Sequence, residues 1–187
     1  MDFFVIFVIA LVLLPLIYAV TTYNRLVALR NHIRDAWANI DTELNRRYDL
    51  IPNLVAAVKG YAAHERETLK QVIDLRNTAL ADRGSVRHQE GTETQLVRAL
   101  QKLIAVAEAY PDLKADKNFL DLQRELVNTE DRIQASRRFY NGNVRDFRNL
   151  SESFPSNLIA GWFGFESADF FNVDPAVRAV PKVGGFS

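Results

Sequence analysis

Apolar side chains fill the start of this chain without interruption and then thin into a period of seven. Phe3 to Val20 carries no charged residue, so the run, with Phe3, Phe4, Phe7, Leu11, Leu14 and Ile17 among its large side chains, is apolar on every side of a helix. At about 1.5 Å per residue this run reaches about 27 Å, close to the roughly 30 Å hydrocarbon core of a bilayer. A core helix apolar on all faces needs a larger protein around it. A cleaved signal needs a positive leading region and a small-x-small site, and neither Met1-Asp2 nor Tyr18-Ala19-Val20-Thr21 supplies one. The pattern predicts a retained transmembrane anchor over residues 1–22, with the lipid bilayer as its partner.

Beyond the anchor the apolar positions form two rows. Leu26, Ile33, Ile40, Leu54 and Tyr61 make one, and Trp37, Leu44, Ile51 and Val58 the other. Steps of seven within a row and three between rows describe a heptad seam on one helix face. The seam predicts a helix from Thr21 to about Leu80, about 90 Å long, which Pro52 kinks without breaking because the rows keep their phase across it. Asp82 to Gly91 has two glycines and no periodicity, and reads as a loop. A second helix is expected from Thr92 to just before Pro111. A third should start near Ala115, with Phe119, Leu126, Ile133, Tyr140 and Phe147 at steps of seven beside a row of small and polar residues.

After Phe154-Pro155 the aromatic density rises, and Gly161 and Gly164 divide that stretch into a short helix and a turn. Residues 172–187 contain Pro175, Pro181, Gly184 and Gly185 and read as an extended tail. No segment alternates with period two for long enough to build a sheet. The expected fold is all-α: an N-terminal transmembrane helix continuing into a long antiparallel three- to four-helix bundle over residues 23–171.

Charge narrows the functional classes. The chain holds 23 Lys+Arg against 23 Asp+Glu, and nucleic-acid binding needs a cationic excess to displace condensed counterions. The absence of cysteine removes disulfides, thiolate metal sites, a cysteine nucleophile and a lipid-modified cysteine. Arg25, Arg30 and Arg34 follow the apolar run while no Lys or Arg precedes it. The positive-inside bias then places the N-terminus outside and the body in the cytoplasm.

Candidate chemistry is sparse. His32, His64 and His88 show no i, i+4 pairing, and His64-Glu65-Arg66-Glu67 lacks the second histidine of a zinc-protease helix. The acids do not recur at di-iron spacing, and neither a phosphate loop nor a nucleophile elbow is present. No catalytic, metal or cofactor-binding residue is assigned, and no cofactor or small-molecule substrate is expected. Arg47 is the one charge in the seam, so it either reaches solvent or meets a carboxylate on a facing helix, Glu125 or Glu130. Phe154, Leu158, Trp162, Phe163, Phe165, Phe170 and Phe171 are candidates for contact between copies or with a partner. With a first helix rising from the membrane, a second descending and a third rising, this end stands far from the bilayer. A full break at Pro52 would reverse that geometry.

Several stretches resemble the LemA family of bacterial membrane-anchored proteins. They are Tyr23-Asn24-Arg25-Leu26-Val27, the run from Arg46 to Val55, Lys59-Gly60-Tyr61 with His64-Glu65, and Ala109 to Ala115. Asn118-Phe119, Leu122-Gln123, Glu125-Leu126, Phe139-Tyr140-Asn141 and Phe154-Pro155 follow in the same order. Arg148 stands after Phe147 where the family pattern has asparagine. The resemblance implies an inner-membrane anchor, an outside N-terminus and a soluble helical bundle, and it brings no catalytic residues. The expected function is a self-associating, homo-oligomeric membrane scaffold. The alternative is an adaptor docking on another membrane protein, such as a membrane metalloprotease or a stress-response partner.

Overall fold

The computed structural model describes residues 2–82 and 84–172. The expected extended tail lies outside the described residues except for Asn172. Six helices follow in order among the described residues: α1 (Asp2–Tyr61), α2 (Arg66–Ala81), α3 (Val86–Glu108), α4 (Pro111–Ala115), α5 (Lys117–Glu152) and α6 (Ser156–Trp162). No strand occurs among them, and the fold is an all-α bundle with one long apolar helix at its N-terminus.

Two expectations about element bounds are corrected. The first helix ends at Tyr61, not near Leu80, and Ala62 to Glu65 turns the chain into α2. The heptad row slips there, because seven residues beyond Tyr61 stands Thr68 and the large residue is Leu69. Gly60 also weakens the final turn of α1. Pro52 lies inside α1, exposed, and does not end it. The segment read as a loop to Gly91 becomes helical at Val86, where the Ser85 side chain accepts the His88 N–H at 3.3 Å as an N-cap. Pro111 opens α4 at a position where its missing N–H costs nothing. The Asp116 carboxylate accepts the Phe119 N–H at 2.8 Å in the first turn of α5.

The chain divides into two compact units that share α1 and α5. One takes the chain up to Trp37 together with Arg138–Asp169. Here α1 and α5 run antiparallel. Trp37 packs on Tyr140 with ring centroids 5.4 Å apart, and Asn143 donates to the His32 carbonyl at 3.4 Å. Leu26, Ile33, Ala36, Val144, Phe147 and Ala160 are buried in this unit.

The other unit takes Ala38–Arg137 and the chain from Phe170. Its core holds Ile40, Leu44, Ile51, Leu54 and Val58 from α1, Leu69 and Val72 from α2, and Leu96, Leu100 and Leu103 from α3. Phe119, Leu126 and Ile133 supply the α5 side. The heptad seam is therefore filled from within the chain.

Candidate functional site

Two features concentrate the chemistry of the described residues: a charge cluster inside the second unit and an aromatic end on the first. Arg47 is 1% exposed. Its guanidinium forms an ion pair with Glu93 of α3 and another with Glu130 of α5, the latter at 3.0 Å. The Tyr48 hydroxyl donates to the second carboxylate oxygen of Glu93. Glu93 and Glu130 are themselves buried, so cations, anions and phenol complete one another where water cannot.

The expected pairing of Arg47 with Glu125 is corrected. Glu125 pairs instead with Arg46, on the outer flank of the same helices. Adjacent residues on a helix point about 100° apart, so Arg46 and Arg47 cannot share one acid. Five residues separate Glu125 from Glu130, which turns Glu130 inward. Glu93 was the partner that sequence reasoning missed. It lies about two turns past the true start of α3, in a helix whose start was placed six residues late.

A second polar group closes the α2–α3 corner. Burial works against ionising Asp82, but the Gly84 N–H, the Thr92 hydroxyl and the His88 ring together hold its carboxyl below the ordinary range. The measured contacts are 2.9 Å from Gly84, 2.8 Å from Thr92 and 2.9 Å from His88. A Cβ on Gly84 would come 3.0 Å from both Asp82 Oδ1 and His88 Nδ1, so only glycine fits there without displacement. His64 is exposed, as a surface residue should be. Among the described residues no group of three His, Cys, Asp or Glu side chains is placed to hold a metal ion. Grooves of about 600 Å³ along α2 and α3 are lined by Glu67, Asp74, Arg98 and Lys102 among others, with no convergent catalytic set.

On the first unit, α6 ends in a left-handed turn. Gly164 has φ of 66°, and the Phe165 N–H reaches back to the Ala160 carbonyl at 2.9 Å. This is the geometry that glycine adopts freely beyond a helix C-terminus. The turn sends Phe165 inward against Tyr23 and Phe147, with ring centroids at 5.5 Å and 6.3 Å. Phe163 also meets Tyr23, at 4.7 Å. Beyond the turn the chain runs along α5, and the Tyr140 hydroxyl donates to the Asp169 carbonyl at 2.9 Å. Burial first, and then the Asp169 charge, push the Tyr140 phenol up to about 12.

The seven aromatic-end candidates thus separate. Phe154, Leu158, Trp162 and Phe163 are exposed, Phe165 and Phe170 are half-buried, and Phe171 is fully buried beneath the Arg137 guanidinium. Phe171 is a core residue and is withdrawn from any outward surface. The expectation that this end stands far from the anchor is also corrected, because Tyr23 lies three residues beyond Val20. The turn at Ala62 to Glu65 is the cause. It folds α2 back along α1, with Arg76 beside Tyr48, and so adds a pass before α5.

The anchor candidates Phe3, Phe4, Phe7, Leu11, Leu14 and Ile17 all lie on α1 and are all exposed. No residue of the most apolar window of that helix is buried within the chain. A model of the LemA family matches residues 36–184. The chain is 24% identical over 196 residues to the magnetosome protein MamQ of Magnetospirillum gryphiswaldense, covering 89% of this chain and 72% of that one. MamQ 2 of Paramagnetospirillum magneticum is 25% identical over 179 residues, which span 82% of this chain and 66% of the relative, just under two thirds of its length. Protein LemA of Metamycoplasma hominis is 27% identical over 171 residues, covering 91% and 76% of the two chains.

Proposed function

Because the chain belongs to the LemA family and its N-terminal apolar helix fits a membrane anchor, we propose that it is a membrane-anchored scaffold that associates with copies of itself and performs no catalysis. The observation that carries this reading is the continuity of α1. The apolar run and the first helix of the body are one uninterrupted helix, and burial begins at Thr22 and Leu26. No linker separates span from fold, so every copy presents the same side chains at the same height above the bilayer. Confinement to a membrane raises local concentration, and weak lateral contacts then accumulate through avidity. The buried charges support the same view, since Arg47, Glu93 and Glu130 are used on one another and face no open cleft. The body stands on the cytoplasmic face of the inner membrane with the N-terminus outside.

The full chain in nanodiscs or mild detergent, weighed by light scattering with size exclusion, tests this. Particles of two or more copies are expected at working concentration, and a strict monomer overturns the scaffold. Crosslinking in native membranes supplies the second arm. A dominant heterologous product there replaces the scaffold with an adaptor docked on another membrane protein.

A further inference from the structure

We propose that Phe154, Leu158, Trp162 and Phe163 form a membrane-surface contact seated in the lipid headgroup layer beside the cytoplasmic end of the anchor. The inference rests on the anchor reading above and adds a second point of attachment to it. Leu158 and Trp162 stand four residues apart on α6 and share a face, Phe154 lies in the turn just before that helix, and the three are 62%, 88% and 80% exposed. A stripe of large apolar side chains this open to water requires an occupant.

The height of the stripe identifies that occupant. Phe163 packs on Tyr23 at 4.7 Å, and Tyr23 lies about 4.5 Å beyond Val20 at 1.5 Å rise per residue. The headgroup region adds about 5–7 Å to each side of the hydrocarbon, so Phe163 falls within it. Trp and other aromatic side chains are favoured at this depth because a ring can be half apolar and half wet. The inward anchor of Phe165 and the left-handed Gly164 fix the segment against Tyr23 rather than leaving it loose.

Residues Ser153 to Asn172 contain no Lys or Arg, and an interfacial helix gains from cations nearby. The first helix provides them. Arg25 is exposed two residues past Tyr23, and Arg30, exposed about 10 Å past Tyr23 along α1, has its guanidinium 5.3 Å over the Phe165 ring. Of the two acids in the segment, Glu166 and Asp169, the latter is held at the level of α5. The Asp169 carbonyl is tied to Tyr140, whose ring packs on Trp37. Trp37 is fourteen residues past Tyr23, about 21 Å farther from the bilayer.

Tryptophan quenching reads this directly, because the chain has only Trp37 and Trp162. The full-length Trp37→Phe chain is placed in nanodiscs of phosphatidylcholine and phosphatidylglycerol. The lipids carry bromine near the headgroup end of the acyl chain, and iodide is the aqueous quencher. The expected result is blue-shifted Trp162 emission that loses most of its intensity to the brominated lipid and little to iodide. Full quenching by iodide with none by the lipid overturns the proposal in favour of open solvent. Protection from both overturns it in favour of a second copy or a protein partner. If Trp37→Phe does not fold, the difference between the unaltered chain and Trp162→Phe gives the same reading. Co-elution with the nanodisc reports the anchor separately, so a chain that co-elutes with an iodide-quenched Trp162 loses this inference and keeps its anchor.

Discussion

A guanidinium inside a helical core is stable only while its charges and donors are answered. Arg47 meets Glu93 and Glu130, and Tyr48 holds Glu93 in place. Removing one partner of such a group leaves a buried charge without compensation, which costs about 3–5 kcal/mol. Arg47→Met alone should therefore lower the urea midpoint strongly. Arg47→Met combined with Glu93→Gln and Glu130→Gln should recover most of that loss, and equal midpoints for the single and triple variants would sink the assignment. The sequence marked Arg47 because it interrupts an apolar row. It could not choose the acid, because Glu125 and Glu130 differ only by the rotation of α5. Glu93 enters from α3, whose packing against this stretch of α1 no local pattern reveals.

At the scale of elements, Pro52 shows how a helix survives a residue that should interrupt it. Proline has no N–H to give the carbonyl four residues back, and that carbonyl belongs to Tyr48. Arg76 of α2 donates its Nε to the Tyr48 carbonyl at 3.1 Å, replacing the missing bond from outside. Arg76→Met should strand that acceptor and cost about 1–3 kcal/mol in chemical denaturation. In a Pro52→Ala background the helix recaptures its own carbonyl, so the same substitution should cost much less. Additive effects in this cycle would refute the compensation. The rows of seven gave α1 and α5 correctly as helices, since long periodic segments outweigh single residues. They did not reveal the turn at Ala62 to Glu65, because a one-residue slip between Tyr61 and Leu69 resembles continuing helix.

At the scale of the whole molecule, charge around the anchor sets which side of the membrane receives the body. Arg25 and Arg30 are exposed on α1 just past the apolar run, and Arg34 follows on the same helix. Under the proposed orientation these arginines hold the flank in the cytoplasm, and replacing all three with glutamine removes that bias. Protease treatment of spheroplasts should leave the unaltered body protected and cleave a substantial fraction of the triple variant. Cleavage of the unaltered body would overturn the orientation. The position of the aromatic end matters at the same scale, because a contact beside the span limits how the fold can tilt on its anchor.

By itself the sequence determined the all-α class, the core faces and an N-terminal apolar run that fits a membrane anchor, because these follow from local periodicity and from an uncharged stretch long enough to cross a bilayer. It also marked Arg47 as a charge that had to reach solvent or meet a carboxylate, since an unpaired buried charge is too costly for any fold. The tertiary structure alone decided which acids answer it, that Phe171 is core, and that Trp162 lies beside the anchor. Those outcomes depend on where α1 turns back and how α5 is rotated. Both are fixed by packing between segments distant in the chain, where one residue of slip reverses which end of the bundle a side chain reaches.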